Sequence, residues 1–107
     1  MSKSYQKEID SITKQIVEKY KPEKIILYGS FASGKPHKDS DVDLFVIKKS
    51  KKPRTKRHLE LDRMLLDRKM ALDILVYTPQ EIKKRLSLGD FFIKDIINQG
   101  KTIYAAK

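Results

Sequence analysis

Three short apolar runs limit what this chain can fold into. IILY at 25–28, LFVI at 44–47 and ALDILVY at 71–77 are rich in β-branched and aromatic residues and too short for core helices. Each is bounded by turn residues or charge, so each reads as a strand. The first strand spans 24–28 and closes at Gly29, the second spans 41–47, and the third spans 71–77. Elsewhere the apolar spacing becomes helical. Tyr5, Ile9, Ile12, Ile16, Val17 and Tyr20 fall on one face of a helix over 4–20, which Lys21-Pro22 ends. A second helix is expected over 55–70, with Leu59, Leu65, Leu66 and Met64 facing inward. Thr78 is a natural N-cap, with Pro79 at the first position of a helix running to 86. A turn near Gly89 leads to a last helix over 90–98, with Phe92, Ile93, Ile96 and Ile97 as core candidates. Residues 30–34 fit one helical turn, broken at Gly34-Lys35-Pro36, and 101–105 a short terminal strand. Alternation of this kind predicts an α/β or α+β sandwich.

At 107 residues the chain is expected to form a single domain over 1–107. Cysteine is absent, which excludes disulfides, thiol nucleophiles and cysteine metal sites. The opening MSKSYQKEID has no apolar segment of the kind a secretion signal needs. No run approaches the roughly 20 apolar residues of a membrane span, so a soluble, cytoplasmic protein is expected. There are 24 Lys and Arg against 14 Asp and Glu, a net charge of +10. Seven of those cations lie in KKSKKPRTKR at 48–57, and without that stretch the balance falls to +3. The excess is therefore one local feature: a solvated loop, or a patch for an anionic ligand beside the site.

The chemistry is concentrated in the acidic residues of two strands. A strand has a period of two, so Asp41 and Asp43 point to one face with Cα atoms roughly 6.5–7 Å apart. Adjacent carboxylates repel unless one is protonated or a cation lies between them. Magnesium is commonly held by one or two carboxylates together with substrate phosphates. Asp73 interrupts an otherwise apolar strand, and a buried carboxylate there would need a cationic partner. Three carboxylates on two neighbouring strands could hold two divalent ions, as two-metal phosphoryl and nucleotidyl transfer requires. Taken singly, each acid reads more readily as a turn or solvent-facing residue than as a ligand.

Gly29-Ser30-Phe31-Ala32-Ser33-Gly34 follows the first strand and opens a helical turn. Backbone N–H groups at such a turn attract anions, Gly29 allows close approach and Ser30 adds a hydroxyl donor. Gly29-x4-Gly34-Lys35 nearly spells a P-loop. Pro36 stands where that motif needs a hydroxyl residue, which removes the reading.

Gly29-Ser30, ten intervening residues, Asp41-x-Asp43 and a later carboxylate on another apolar strand together resemble the nucleotidyltransferase superfamily that includes DNA polymerase beta. The chain looks most like its minimal stand-alone members, often paired with a HEPN-domain protein. That resemblance implies a nucleotidyltransferase-like fold, a small mixed sheet flanked by helices. It implies that Gly29 and Ser30 hold the nucleotide's terminal phosphates. Asp41 and Asp43 would bind Mg²⁺, and Asp73 would complete a second metal site and help deprotonate an attacking hydroxyl. The reaction implied is transfer of NMP, AMP from ATP in the first instance, with release of pyrophosphate. Many relatives carry Gly-Ser-x-Ala-Arg-Gly; here Ser33 replaces the Arg, and Lys35 or Lys38 are the nearby cations.

Larger members carry extra domains for base and acceptor. This chain has no room for them, so the acceptor is expected from a partner, a HEPN toxin by resemblance, or from a second protomer. Two further readings stand beside the enzyme. One is a catalytically weak module that neutralises its partner by contact, which the loss of the Arg keeps open. The other is a nucleic-acid-binding protein using the basic loop, against which no aromatics interleave the Lys/Arg run. His37, His58 and Ser40 read as polar surface or capping residues, and Phe91 and Phe92 as core or interface residues.

Overall fold

Helix α1 (Lys3–Tyr20) turns Ile9, Ile12, Ile16 and Tyr20 into the interior at helical spacing. It ends where Lys21 adopts a left-handed conformation (φ 54°) and its N–H returns to the carbonyls of Ile16 and Val17, with Pro22 barring continuation. Strands β1 (Lys24–Tyr28) and β2 (Val42–Ile47) follow, then α2 (Arg54–Met64) and β3 (Leu72–Tyr77). Helices α3 (Pro79–Ser87) and α4 (Phe91–Gln99) and strand β4 (Lys101–Ala105) complete the chain. The computed structural model describes residues 3–34 and 41–107. Lys35, His37, Lys38 and Ser40, considered above, lie outside the described residues.

The four strands form one mixed sheet in the order β3-β2-β1-β4. Strand β1 is antiparallel to both β2 and β4, and β2 is parallel to β3. Because β2 and β3 share a direction, both begin at the end of the sheet where β1 finishes and β4 starts. Helices cover both faces. Ile25, Leu27, Val42, Leu44, Val46, Ile74 and Val76 meet α1 and α2 on one side. Ile26, Phe45 and Tyr77 meet Ile82 of α3 and Ile93 and Ile96 of α4 on the other. Strands covered on both faces read as continuous apolar runs, which is why the sequence shows them so clearly.

Helix α2 departs from its expected form. It stops at Met64, six residues before the expected end, and its inward stripe is Arg57, Leu61 and Leu65. Leu59 is exposed and Leu66 is 80% exposed. An arginine in the buried stripe hid the true periodicity. Arg57 is 4% exposed and forms a forked ion pair with Glu81 of α3, at 2.7 and 3.0 Å. It also donates to the carbonyls of Val76 and Lys52, both at 2.8 Å. One guanidinium thus ties α2, β3, α3 and the basic loop together. Glu81 also belongs to a capping box: it accepts from the Thr78 N–H while its own N–H donates to the Thr78 hydroxyl. Thr78 is the N-cap and Pro79 the first helical residue, as expected.

Candidate active site

The end of the sheet where β1 finishes and β2 and β3 begin carries the acidic residues. Asp43 and Asp73 are register partners across the parallel β2–β3 pair. Side chains of register partners share a face, and strand alternation puts this pair on the α3/α4 side, with Phe45, Leu75 and Tyr77. Asp41 is exposed and lies two positions before Asp43, just ahead of β2. Asp43 feels both neighbours: burial, then Asp73, then Asp41 raise its carboxyl above its usual range. Across the antiparallel β1–β2 pair, Tyr28 is the register partner of Asp43. Burial pushes the Tyr28 phenol up, and Asp43 and Asp73 add to the shift, so its hydroxyl keeps its proton.

Gly29 follows at once. It has a left-handed conformation (φ 76°), and a methyl group there would overlap Asp43 Oδ2. Glycine is therefore required twice over, by its backbone and by the carboxylate against it. The Gly29 carbonyl accepts from Ala32 and Ser33 N–H, both at 3.1 Å, closing the single helical turn. The N–H groups of Ser30 and Phe31 precede that ladder, as in the first turn of any helix. Phe31 is buried in the α1/α2 core and packs edge-on against Tyr5 at 5.4 Å, anchoring the turn. Ser33 donates from its hydroxyl to the Ser30 carbonyl at 3.0 Å. It braces the turn and brings no positive charge.

Hard oxygen donors in a negatively charged, partly buried cleft suit a divalent cation. Among the described residues no three His, Cys, Asp or Glu side chains are gathered closely enough to cage a metal ion. The arrangement is an open pair, Asp43 and Asp73, with Asp41 at its margin. That matches a metal bound through one or two carboxylates plus substrate phosphates better than a closed protein cage.

The sequence profile of the family described as Polymerase beta, Nucleotidyltransferase matches residues 10–107. The chain belongs to this nucleotidyltransferase family. Two solved structures share the fold of this family member, both variants of the MntA-HpeT toxin-antitoxin. One carries two Asp-to-Glu changes; at 19% identity it matches with a TM-score of 0.63, over 92% of this chain and 73% of that one. The other carries a Tyr-to-Ala change; at 21% identity it matches with a TM-score of 0.61, over 92% and 72% of the two chains. A search of curated proteins finds no match.

Two features of this nucleotidyltransferase chain differ from expectation. The basic loop leaves the far end of β2, five positions past Asp43, which is about 16 Å along a strand. It does not flank the carboxylates. Lys48 instead lies over the Tyr20 ring and donates to the Lys21 carbonyl at 3.3 Å. The second difference is aromatic. Phe91 is 77% and Phe92 53% exposed, so neither belongs to the core; Ile93 and Ile96 carry that role. Phe92 meets Tyr28 edge-to-face at 6.0 Å, beside the acidic pair. Tyr28 and Phe92 were legible only as apolar positions, because periodicity does not distinguish a cleft wall from a core. No helix among the described residues is long and apolar enough to cross a membrane.

Proposed function

We propose that this chain is a Mg²⁺-dependent nucleotidyltransferase that moves AMP from ATP to a hydroxyl on a partner protein, and so acts as an antitoxin. The observation that carries the reading is the Asp43–Asp73 register pair beside the Gly29 turn. Gly29 and Ser30 bind the β- and γ-phosphates through the turn's N–H groups and the Ser30 hydroxyl. Asp41 and Asp43 would hold Mg²⁺, and Asp73 would complete a second metal position. When bound, the metal neutralises charge that builds on the phosphates as the α-phosphorus is attacked. Asp73, the exposed member of the pair, takes the proton of the incoming hydroxyl. Pyrophosphate leaves from the Gly29–Ser30 turn.

The family resemblance and the toxin-antitoxin assembly of the fold neighbours support a HEPN-type toxin as the acceptor. A second reading is favoured by Ser33. With no arginine at the turn, the chain neutralises its partner by contact alone. The decisive experiment incubates the chain, a HEPN-domain protein from the same cell and α-labelled ATP with Mg²⁺. Label on the partner, lost in Asp43→Asn and Asp73→Asn, is the expected result. Unlabelled partner that is still neutralised by both variants establishes the contact reading and removes the catalytic one.

A further inference from the structure

Between the Gly29 turn and helix α4 lies a cleft of about 390 Å³ in which the transfer chemistry described above uses only Gly29. Its walls include Tyr28, Gly29 and Ser33 on the sheet side and Phe92, Asp95 and Gln99 on the helix side. The three α4 residues recur at i, i+3 and i+7, so one stripe of the helix faces the cleft. The neighbouring stripe, Ile93 and Ile96, is buried against the sheet and fixes the helix in place. Asp90 caps α4 by accepting from Ile93 N–H at 3.1 Å, which sets where Phe92 stands.

We propose that this cleft seats the base of the bound nucleotide, with Phe92 as its stacking surface. The proposal rests on the nucleotidyltransferase reading and extends it to what recognises the nucleoside. Gly29 is shared: Asp43 abuts it and the cleft opens on it. A nucleotide with its phosphates at the Gly29–Ser30 turn therefore has its nucleoside within reach of the cleft. The volume falls within the roughly 300–1,000 Å³ of small-molecule sites. A base needs an apolar surface for its faces and polar groups for its edge. Phe92 is half exposed, with the Tyr28 ring braced edge-on against it, so its surface is available at little ordering cost. The Gln99 amide both donates and accepts, and the Asp95 carboxylate accepts, so the two residues at the rim match a base edge bearing an amino group. The occupant that competes with this assignment is the acceptor side chain of the partner.

The test compares two triphosphate probes, one with the nucleoside and one without it. Binding of ATP and of inorganic tripolyphosphate, each with Mg²⁺, is measured by calorimetry for the wild type, Phe92→Ala, Phe92→Leu and Asp43→Asn. Base stacking by one aromatic is worth about 1–3 kcal/mol, so ATP is expected to bind at least about fivefold tighter than tripolyphosphate. Phe92→Ala is expected to remove most of that advantage and leave tripolyphosphate affinity unchanged. Phe92 is too exposed for this change to unfold the chain, and Phe92→Leu, which keeps bulk but not the ring, reports on folding and stacking separately. Equal binding of the two probes by the wild type, both lost in Asp43→Asn, overturns the base seat and leaves the transferase reading standing. An unchanged ATP advantage in Phe92→Ala overturns it too, and leaves the cleft to the acceptor. Failure of both probes to bind the wild type overturns both readings.

Discussion

Asp43 and Asp73 stand side by side on parallel strands, and the fold holds them there against their own repulsion. Burial and the two neighbouring carboxylates raise the Asp43 carboxyl above its usual range. A carboxyl raised in the folded state binds a proton more tightly there than in the unfolded chain. The folded state is therefore favoured at low pH, and this contribution is lost as pH rises through the raised value. At neutral pH and without divalent cations, Asp43→Asn should raise the melting temperature by a few degrees. The gain should shrink as pH falls towards the ordinary carboxylate range. Mg²⁺ with nucleotide should reverse the order, because a ligand at a hundredfold excess over its Kd stabilises by about 2.7 kcal/mol and the variant forfeits this. Thermal melts with and without Mg²⁺-nucleotide across pH 4–8 make the comparison.

Gly29 is the hinge between turn and carboxylate. Gly29→Ala places a methyl group against Asp43 Oδ2 and holds a side-chain-bearing residue at φ 76°. The left-handed conformation alone costs roughly 1–2 kcal/mol for an L-residue. A loss of about 1–3 kcal/mol in urea unfolding is expected, together with loss of nucleotide transfer at temperatures where the variant is still folded. A variant that keeps both stability and transfer would show that Asp43 yields freely, and that the contact does not set its position.

The strands were legible because both faces of the sheet are covered. β1 and β4 fall on the expected bounds, and β2 and β3 begin one residue later than expected. The face of Asp43 also follows from strand periodicity, whereas Asp41 lies just ahead of β2, outside its alternation. The juxtaposition of Asp43 with Asp73 does not follow from periodicity, since register between parallel strands depends on how the α2 crossover packs. That crossover is the element that departs most from its apolar pattern. Arg57 occupies a buried position that apolar periodicity assigns to a hydrophobe, so the pattern points to Leu59 and passes over the buried Leu61. Its partner Glu81 was equally hidden, because the two are 24 residues apart in the chain.

The Arg57–Glu81 pair makes its own prediction. The Arg57 guanidinium, donating to both oxygens, holds the Glu81 carboxyl down at about 2, with Thr78 helping. A lowered carboxyl contributes stability above the unfolded-state value, and loses it as pH falls through the folded-state value. The contribution is thus complete above roughly pH 5 and declines between there and about pH 2. Arg57→Ala removes several charge-assisted hydrogen bonds and should cost about 2–3 kcal/mol at pH 7, with a flatter acid limb in the melting curve. Glu81→Gln should lose less, because the amide can still accept from Arg57. If Arg57→Ala melts like the wild type at pH 7, the pair does not fasten the helices.

The basic loop offers the sharpest contrast with the acidic end. Lys51 and Lys52 lie beyond the far end of β2, about 16 Å or more from Asp43 by strand length. The Debye length is about 8 Å at physiological ionic strength, so charges at that separation are largely screened. Lys51→Gln with Lys52→Gln should leave Mg²⁺-nucleotide affinity within about twofold of wild type at 150 mM salt, a change under ~0.5 kcal/mol. Stability should move little, since the Lys52–Glu60 bridge is a surface pair at 3.2 Å and such pairs contribute about 0–1 kcal/mol. A large fall in nucleotide affinity would mean that the triphosphate reaches this loop, which the strand direction does not allow for a site at Asp43. A nucleic acid on the loop would give a different signature: affinity falling steeply with salt, with a slope reduced by about one for each phosphate contact removed. Titration of the double variant with nucleotide, and separately with a short RNA at 50 and 200 mM salt, distinguishes the two outcomes.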